Sequence, residues 1–295
     1  MTKETYAGLI GPYDVPEAER VPCQLQRKHK RCNQSHGIGW LARTTDQREA
    51  CIGGDCAARY FGAKSEFSKD RARANREVET DALLQRIHAA YSNTETPLFI
   101  DQVLANLRRL YDSVTSLIGG LPADAVRRIR DMAKVGRSDV MIEVRYEERT
   151  ENPQKPKIVW QPRSIGAVRG LNALNLKDLR TLMEGARSVK EVWADRNVLR
   201  ETSLRALRAR ATVLESLPSI SAKLVDAGET WSAFSERANL DRCAFLASHE
   251  SDQRQVFWAA RGTASSRHVA DVAWRTARAQ ISTEHGNRQF RAAQV

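Results

Sequence analysis

The sequence predicts a mainly α-helical protein that begins with a small zinc-binding module. Three observations lead to this fold class. Four of the five cysteines lie between residues 23 and 56, apolar residues after residue 65 recur at helical spacing, and β-branched residues near 139–161 interrupt that spacing. We therefore divide the chain into a zinc module, an elongated, coiled-coil-like helical body with a small β-hairpin insertion, and a basic, weakly patterned C-terminal tail, over residues 1–64, 65–246 and 247–295.

The cysteines and histidines of the first segment are expected to bind a metal. Residues 1–20 lack the apolar segment of a secretory signal, so we expect a cytoplasmic protein with reduced thiols. In that setting clustered Cys and His indicate metal ligands before disulfides. A structural zinc ion takes four such ligands. Cys32, His36 and Cys56 fit best, because each lies at a predicted turn or helix start.

The fourth ligand has two candidates. Cys23 is favoured, although its separation from Cys32 is longer than usual in zinc sites. Cys51 is close to Cys56, but it lies on a predicted strand beside Ile52 and could equally be a buried apolar residue. The remaining alternative is that these cysteines carry no metal.

The segment after His36 predicts a compact framework for the ligands. Alternating apolar residues at 38–42 indicate a strand, and residues 50–52 indicate the strand that returns. Two glycines then lead into a helix that starts at Cys56, with Asp55 as its expected N-cap. A ligand turn, a hairpin and a ligand at a helix start are typical of a treble-clef or ribbon-like zinc module.

Two motifs stand out in this module: Cys32-x3-His36-Gly37, and Ile52-Gly53-Gly54-x-Cys56 followed by Phe61-Gly62. In these motifs the chain resembles an N-terminal zinc module of uncharacterised phage and prophage proteins, in which a long helical region follows. The resemblance covers about forty residues and implies Cys23, Cys32, His36 and Cys56 as ligands. It differs in the first pair of cysteines, which are closer together in that pattern. It implies no activity.

The body is predicted to consist of long helices. Apolar stripes indicate one helix up to Tyr91, a second over 99–117 and a short third one that begins near Leu121. The longest stretch, from Leu176 to Leu217, would be about 60 Å long as a single helix. Such a helix must cover its apolar stripe, so we expect the second helix to fold back on it and a second chain to complete a homodimer.

Two further segments depart from the helical pattern. Residues 140–146 and 157–160 predict a β-hairpin with a long, charged tip. After Leu246 apolar residues are isolated among Arg, Ser and Gln, apart from one short basic helix predicted over 270–281. We expect a tail that is ordered only through a partner or through the body of the protein, with an Arg-bearing nucleic-acid arm as the functional alternative.

Charge points to an anionic partner. The chain carries 47 basic and 36 acidic residues, a net charge of +11, and nucleic acid is the first candidate. Arg27, Lys28, Lys30 and Arg31 lie in the loop between Cys23 and Cys32. The sequence thus predicts a zinc-finger protein of a phage or mobile element that binds DNA or another nucleic acid as a helical dimer. The alternative is a protein–protein adaptor or inhibitor whose helical arms bind a host or defence protein.

Catalysis finds little support in the sequence. It has no phosphate-binding glycine loop, no HExxH and no nucleophile elbow, so we expect a protein that is not an enzyme. No apolar run approaches the length that spans a bilayer, so we expect no membrane partner.

Overall fold

The computed structural model describes residues 1–27, 30–148, 156–197, 202–261 and 267–293, with Arg27 described by its backbone alone. Helices account for about 61% of the described residues. The chain divides into two compact units, the first from Met1–Asn93 with Asp195–Thr212 and the second from Thr94–Ala194 with Val213–Val295. This division differs from the three segments that the sequence suggests.

The first unit is mostly β-structure followed by a long helix. Its elements are β1 (Tyr6–Asp14), β2 (Val21–Pro22), β3 (Gln26–Arg27), β4 (Lys30–Arg31), β5 (Ser35–His36), β6 (Ile38–Thr44), β7 (Glu49–Gly53), α1 (Gly54–Phe61) and α2 (Glu66–Ser92). Strands β1, β6 and β7 form an antiparallel sheet in that order. Its buried residues Trp40, Ala42 and Ile52 pack with Phe61 and Phe67. The predicted strands and helix are confirmed, but the N-cap of α1 is Gly53, and Asp55 lies inside the helix.

The second unit surrounds a small sheet with helices. Its elements are α3 (Thr96–Gly120), α4 (Ala123–Val135), β8 (Asp139–Glu148), β9 (Lys157–Ala167), α5 (Leu176–Ala194), α7 (Leu217–Ser235), α8 (Arg237–Cys243), α9 (Glu250–Ala259), α10 (Arg267–Glu284) and β10 (Phe290–Ala292). Helix α6 (Leu204–Glu215) begins in the first unit and ends in the second. The predicted hairpin is confirmed as β8 and β9, and its tip at 149–155 lies outside the described residues.

The single long helix predicted from Leu176 to Leu217 is wrong. Helix α5 ends at Ala194, where the Asp195 carboxylate accepts a hydrogen bond from the Asn197 amide at 3.3 Å. Such a local side-chain bond competes with helix continuation. Helix α7 starts afresh with Pro218 in its first turn, a position that tolerates proline. The predicted fold-back is present, since α3 packs against α5 and α7 through a shared apolar cluster that includes Leu107, Val189 and Ile220.

The C-terminal segment is part of the folded core, not an unpatterned tail. Val256 and Phe257 of α9, Trp274 of α10 and Phe290 of β10 are all buried in the main core of the second unit. Strand β10 pairs antiparallel with β8, with Phe290 opposite Val144. Each of α9, α10 and β10 contributes only two or three buried residues to a core that the other elements complete. For this reason the segment shows no strong periodicity of its own.

Candidate metal centre

Residues 21–27 and 30–36 pair as the two arms of an antiparallel ribbon, which holds three of the predicted ligands, Cys23, Cys32 and His36. Strand β2 pairs with β5, and β3 pairs with β4. Between these pairs, the Cys23 amide donates to the Gln34 carbonyl at 2.9 Å, and the Cys32 amide donates to the Leu25 carbonyl at 2.8 Å. Cys23 and Cys32 therefore lie on opposite arms of the ribbon, two positions apart in its register. The pairing brings the two cysteines close together although eight residues separate them in the sequence. Their spacing in the sequence alone does not show this.

The ribbon replaces the tight turn that the sequence predicts between Cys32 and His36. Ser35 and His36 are extended, and the chain departs from regular pairing at Asn33, whose φ is 49°. Asparagine adopts this left-handed conformation more readily than most residues. The Asn33 amide donates to the Cys23 carbonyl at 3.1 Å, so the hydrogen bonding is irregular there, although the pairs on either side keep the same register.

Cys56 reaches the ribbon from the start of α1. Gln24 fixes the ribbon to β7, because its backbone amide donates to the Cys51 carbonyl at 2.9 Å and its side-chain oxygen accepts from the Cys51 amide at 2.8 Å. Helix α1 follows β7 directly, and Cys56 is its third residue. The thiol of Cys56 also lies 3.4 Å from Oε1 of Gln34.

The sulfur atoms of Cys23, Cys32 and Cys56 converge to within 4.8 Å of one another. The Cys32 and Cys56 sulfurs are 3.6 Å apart, close to the separation of about 3.8 Å that two 2.3 Å zinc–sulfur bonds give in a tetrahedron. Cys23 and Cys56 are buried and Cys32 is half-buried. These three residues could therefore hold a metal ion together.

The surroundings of Cys56 favour its neutral thiol until a cation arrives. Burial, with hydrogen bonding to Cys32 and the neighbouring Cys23 thiol as further causes, raises the pKa of Cys56 to about 11. Three thiolates in one small volume would repel each other, and a divalent cation removes that penalty. Binding of a metal would therefore release protons.

His36 lies beside this group but is not a member of it. Its Nδ1 is 2.7 Å from the Tyr13 hydroxyl, and the two rings stack. Its Nε2 is buried and has no hydrogen-bond partner among the described residues. The ring rests on the turn before α1, where a Cβ built on Gly53 would be 2.8 Å from His36 Cδ2. Burial lowers the pKa of His36, which keeps the imidazole neutral at pH 7.

Cys51 lies outside the three-thiol group. It is half-buried on β7 opposite Leu41, between the buried residues Ala50 and Ile52. Neighbouring residues of a strand point to opposite faces, so Cys51 does not share the core side of Ile52. The expectation that it could be a buried apolar residue is therefore wrong.

Three of the four predicted basic residues lie on strands of the ribbon that the structure describes. Lys30 and Arg31 are exposed on β4, and the register pairs Arg27 with Lys30. Lys28 lies outside the described residues. Tyr13 and Gln34, which contact His36 and Cys56, carry no sequence signal that would have identified them, although Gln34 lies inside the first motif.

No protein-family model matches the chain, and no curated protein or solved structure matches it either. Among the described residues, no helix combines the length and the apolarity needed to cross a membrane.

Proposed function

We propose that the first unit is a zinc-stapled nucleic-acid-binding module. The observation that carries the proposal is the convergence of three thiols from the start of α1 and from a ribbon whose strand β4 exposes Lys30 and Arg31. Thiolate-rich sites of this kind select zinc among the abundant divalent metals, and zinc in structural sites is tetrahedral. The ligand set that we propose is Cys23, Cys32, Cys56 and His36.

His36 is the proposed fourth ligand because of its hydrogen bonding. If Nδ1 donates its proton to the Tyr13 hydroxyl, Nε2 keeps a free lone pair, as in histidines that bind a metal and are oriented by an outer partner. The same nitrogen is buried without another partner among the residues described. Zinc binding requires Nε2 to approach to about 2.1 Å from the ion. Cys51 is the alternative fourth ligand.

The tip of the ribbon is the proposed contact with nucleic acid. Arg27, Lys28, Lys30 and Arg31 lie close together in the chain, between two proposed ligands. A metal that ties Cys23 to Cys32 would hold these cations on one short ribbon and reduce the entropic cost of binding. Cations of this kind contact phosphates and give affinity without sequence selectivity. The net charge of +11 supports an anionic partner.

The phage or mobile-element origin and the homodimer stay predictions. The main reason to expect a dimer is the length of the helix predicted from Leu176 to Leu217. That segment is divided into separate helices, and α3 covers part of its apolar surface. Sedimentation velocity at micromolar concentration would decide the oligomeric state, since a monomer alone would reject the dimer.

The proposed function is tested by changing Arg27, Lys28, Lys30 and Arg31 together to Gln. We expect affinity to fall for all DNA and RNA sequences alike, with a salt slope smaller by about 0.9 for each duplex phosphate that the protein no longer neutralises. The zinc content should not change, because none of the four is a ligand. Fluorescence anisotropy over a salt series measures both affinity and slope.

A matched control removes the same number of charges elsewhere in the first unit. Arg43, Arg59, Lys64 and Arg76 are all exposed, and their change to Gln should leave affinity nearly intact. Equal reductions of affinity in both variants would show a general charge effect and reject the tip as the contact. No binding to any nucleic acid at low salt would reject the proposed function and favour the protein–protein adaptor.

A further inference from the structure

A basic cavity of about 370 Å³ lies at the C-terminal end of α10 and the turn that follows. Its polar lining residues share donor groups that suit an anion: Arg275, Arg278, Ser282, Asn287, Arg288 and Gln289. None of the lining residues that the structure describes is acidic. The cavity lies entirely in the second unit, far along the chain from the ribbon.

The three arginines differ in how their charge is compensated. Arg275 pairs with Asp271 at 2.7 Å, and Arg278 pairs with Glu250 at 2.9 Å. Arg288 has no carboxylate partner in the described part of the chain. Its Nη1 donates to the His285 carbonyl at 2.9 Å, and its guanidinium lies over the Tyr146 ring at 4.6 Å from the centroid. Arg288 therefore presents an oriented positive charge that no carboxylate of the described residues neutralises.

The cavity is held in shape by the surrounding backbone. Arg275 and Arg278 are three residues apart on α10, so they lie on the same helix face. The turn is closed by the Asn287 amide, which donates to the Ser282 carbonyl at 2.7 Å, and by the Ser282 hydroxyl, which donates to the Arg288 carbonyl at 3.1 Å. The Arg145 amide then donates to the Gln289 carbonyl at 2.9 Å, next to the pairing of β10 with β8.

Left-handed backbone conformations make this turn possible. Gly286 and Asn287 have φ of 71° and 57°, which glycine and asparagine adopt at low cost. They reverse the chain within a few residues after α10, so that Arg288 returns to the side of Arg275 and Arg278.

We propose that this cavity is a phosphate-binding site. Guanidinium groups bind phosphate through paired, charge-assisted hydrogen bonds, and the side-chain NH2 groups of Asn287 and Gln289 supply neutral donors. The phosphate group belongs either to a nucleic-acid backbone or to a free phosphate compound. The site goes beyond the proposed zinc module, because it requires neither the metal nor the ribbon.

The test compares Arg288→Gln with Arg180→Gln in the full-length protein. Arg180 is a matched control for Arg288, because it is exposed and lies over the ring of Tyr111 in the same unit. The change Arg180→Gln removes the same charge as Arg288→Gln. Calorimetric titration with inorganic phosphate, in a buffer without other oxyanions, should show about tenfold weaker binding for Arg288→Gln and no comparable weakening for Arg180→Gln. Arg275→Gln is a second variant at the same cavity and should weaken phosphate binding too.

A short single-stranded DNA distinguishes the two sources of phosphate. If Arg288→Gln weakens both ligands, the site takes nucleic-acid phosphates; if it weakens inorganic phosphate alone, the site takes a free phosphate compound. The variant with four Gln residues at the ribbon tip should keep its affinity for inorganic phosphate. The phosphate titration therefore tests the cavity independently of the function proposed for the zinc module. Wild-type protein that does not bind phosphate, or an Arg288→Gln variant that binds it as tightly as wild type, would overturn the proposal.

Discussion

At the residue scale, Gly53 decides how closely His36 can approach the start of α1. The imidazole rests on the backbone of Gly53, and a methyl group there would lie 2.8 Å from His36 Cδ2 and 3.2 Å from Nε2. The φ of Gly53 is −66°, which any residue can adopt. The constraint on this glycine is therefore space and not backbone conformation.

The change Gly53→Ala should displace His36 and destabilise the first unit by about 1–3 kcal/mol, the usual cost of overpacking. Gly54→Ala is the control, because no other atom lies within 4 Å of a Cβ built there. That variant should be neutral or slightly more stable, since alanine restricts the unfolded chain. Chemical denaturation measures both, and equal stability of the two variants would contradict the close contact with His36.

The sequence predicts part of the candidate site correctly. Cys23, Cys32 and Cys56 converge, as expected for cysteines clustered in one short segment. The geometry is harder to predict. Backbone hydrogen bonds between the two arms of the ribbon bring Cys23 and Cys32 close together, and the spacing of cysteines in the sequence does not reveal such pairing. The role of His36 as a ligand stays a prediction.

At the element scale, the C-terminal helices and strand are structural parts of the second unit. Phe290 of β10 is buried against Phe245, with ring centroids 6.0 Å apart, and the Arg278 guanidinium lies over the Phe290 ring at 5.1 Å from its centroid. Strand β10 completes the sheet that β8 and β9 begin. Removal of this segment would therefore open the core, whereas removal of a solvated tail would not.

The change Phe290→Ala should lower the free energy of unfolding by about 3–5 kcal/mol, the cost of deleting a buried aromatic ring. Val272→Ala on α10 is the control, because Val272 is 47% exposed and its truncation should cost no more than about 0.5 kcal/mol. Thermal or urea unfolding provides the measurement. A Phe290→Ala protein as stable as the control would mean that the segment contributes little to the fold.

At the scale of the whole molecule, helices are easier to predict than their lengths and partners. The stripe over 99–117 appears as α3, because its apolar residues repeat over many turns. The break after Ala194 is accompanied by a local hydrogen bond at Asp195, and β10 depends on pairing with a strand far away in the chain. Neither leaves a periodic signal. The chain also forms more sheet than the two predicted hairpins, because β1 and β10 each add a strand to one of them.

The central claim, that the first unit binds zinc, is tested most directly on protein purified without a chelator. Elemental analysis should give about one zinc per chain, and X-ray absorption should show three sulfurs at about 2.3 Å and one nitrogen at about 2.0–2.1 Å. Cys56→Ser should lose the metal and Cys51→Ser should retain it. Zinc below about a fifth of an equivalent in the wild-type protein, or full retention in Cys56→Ser, would contradict the account.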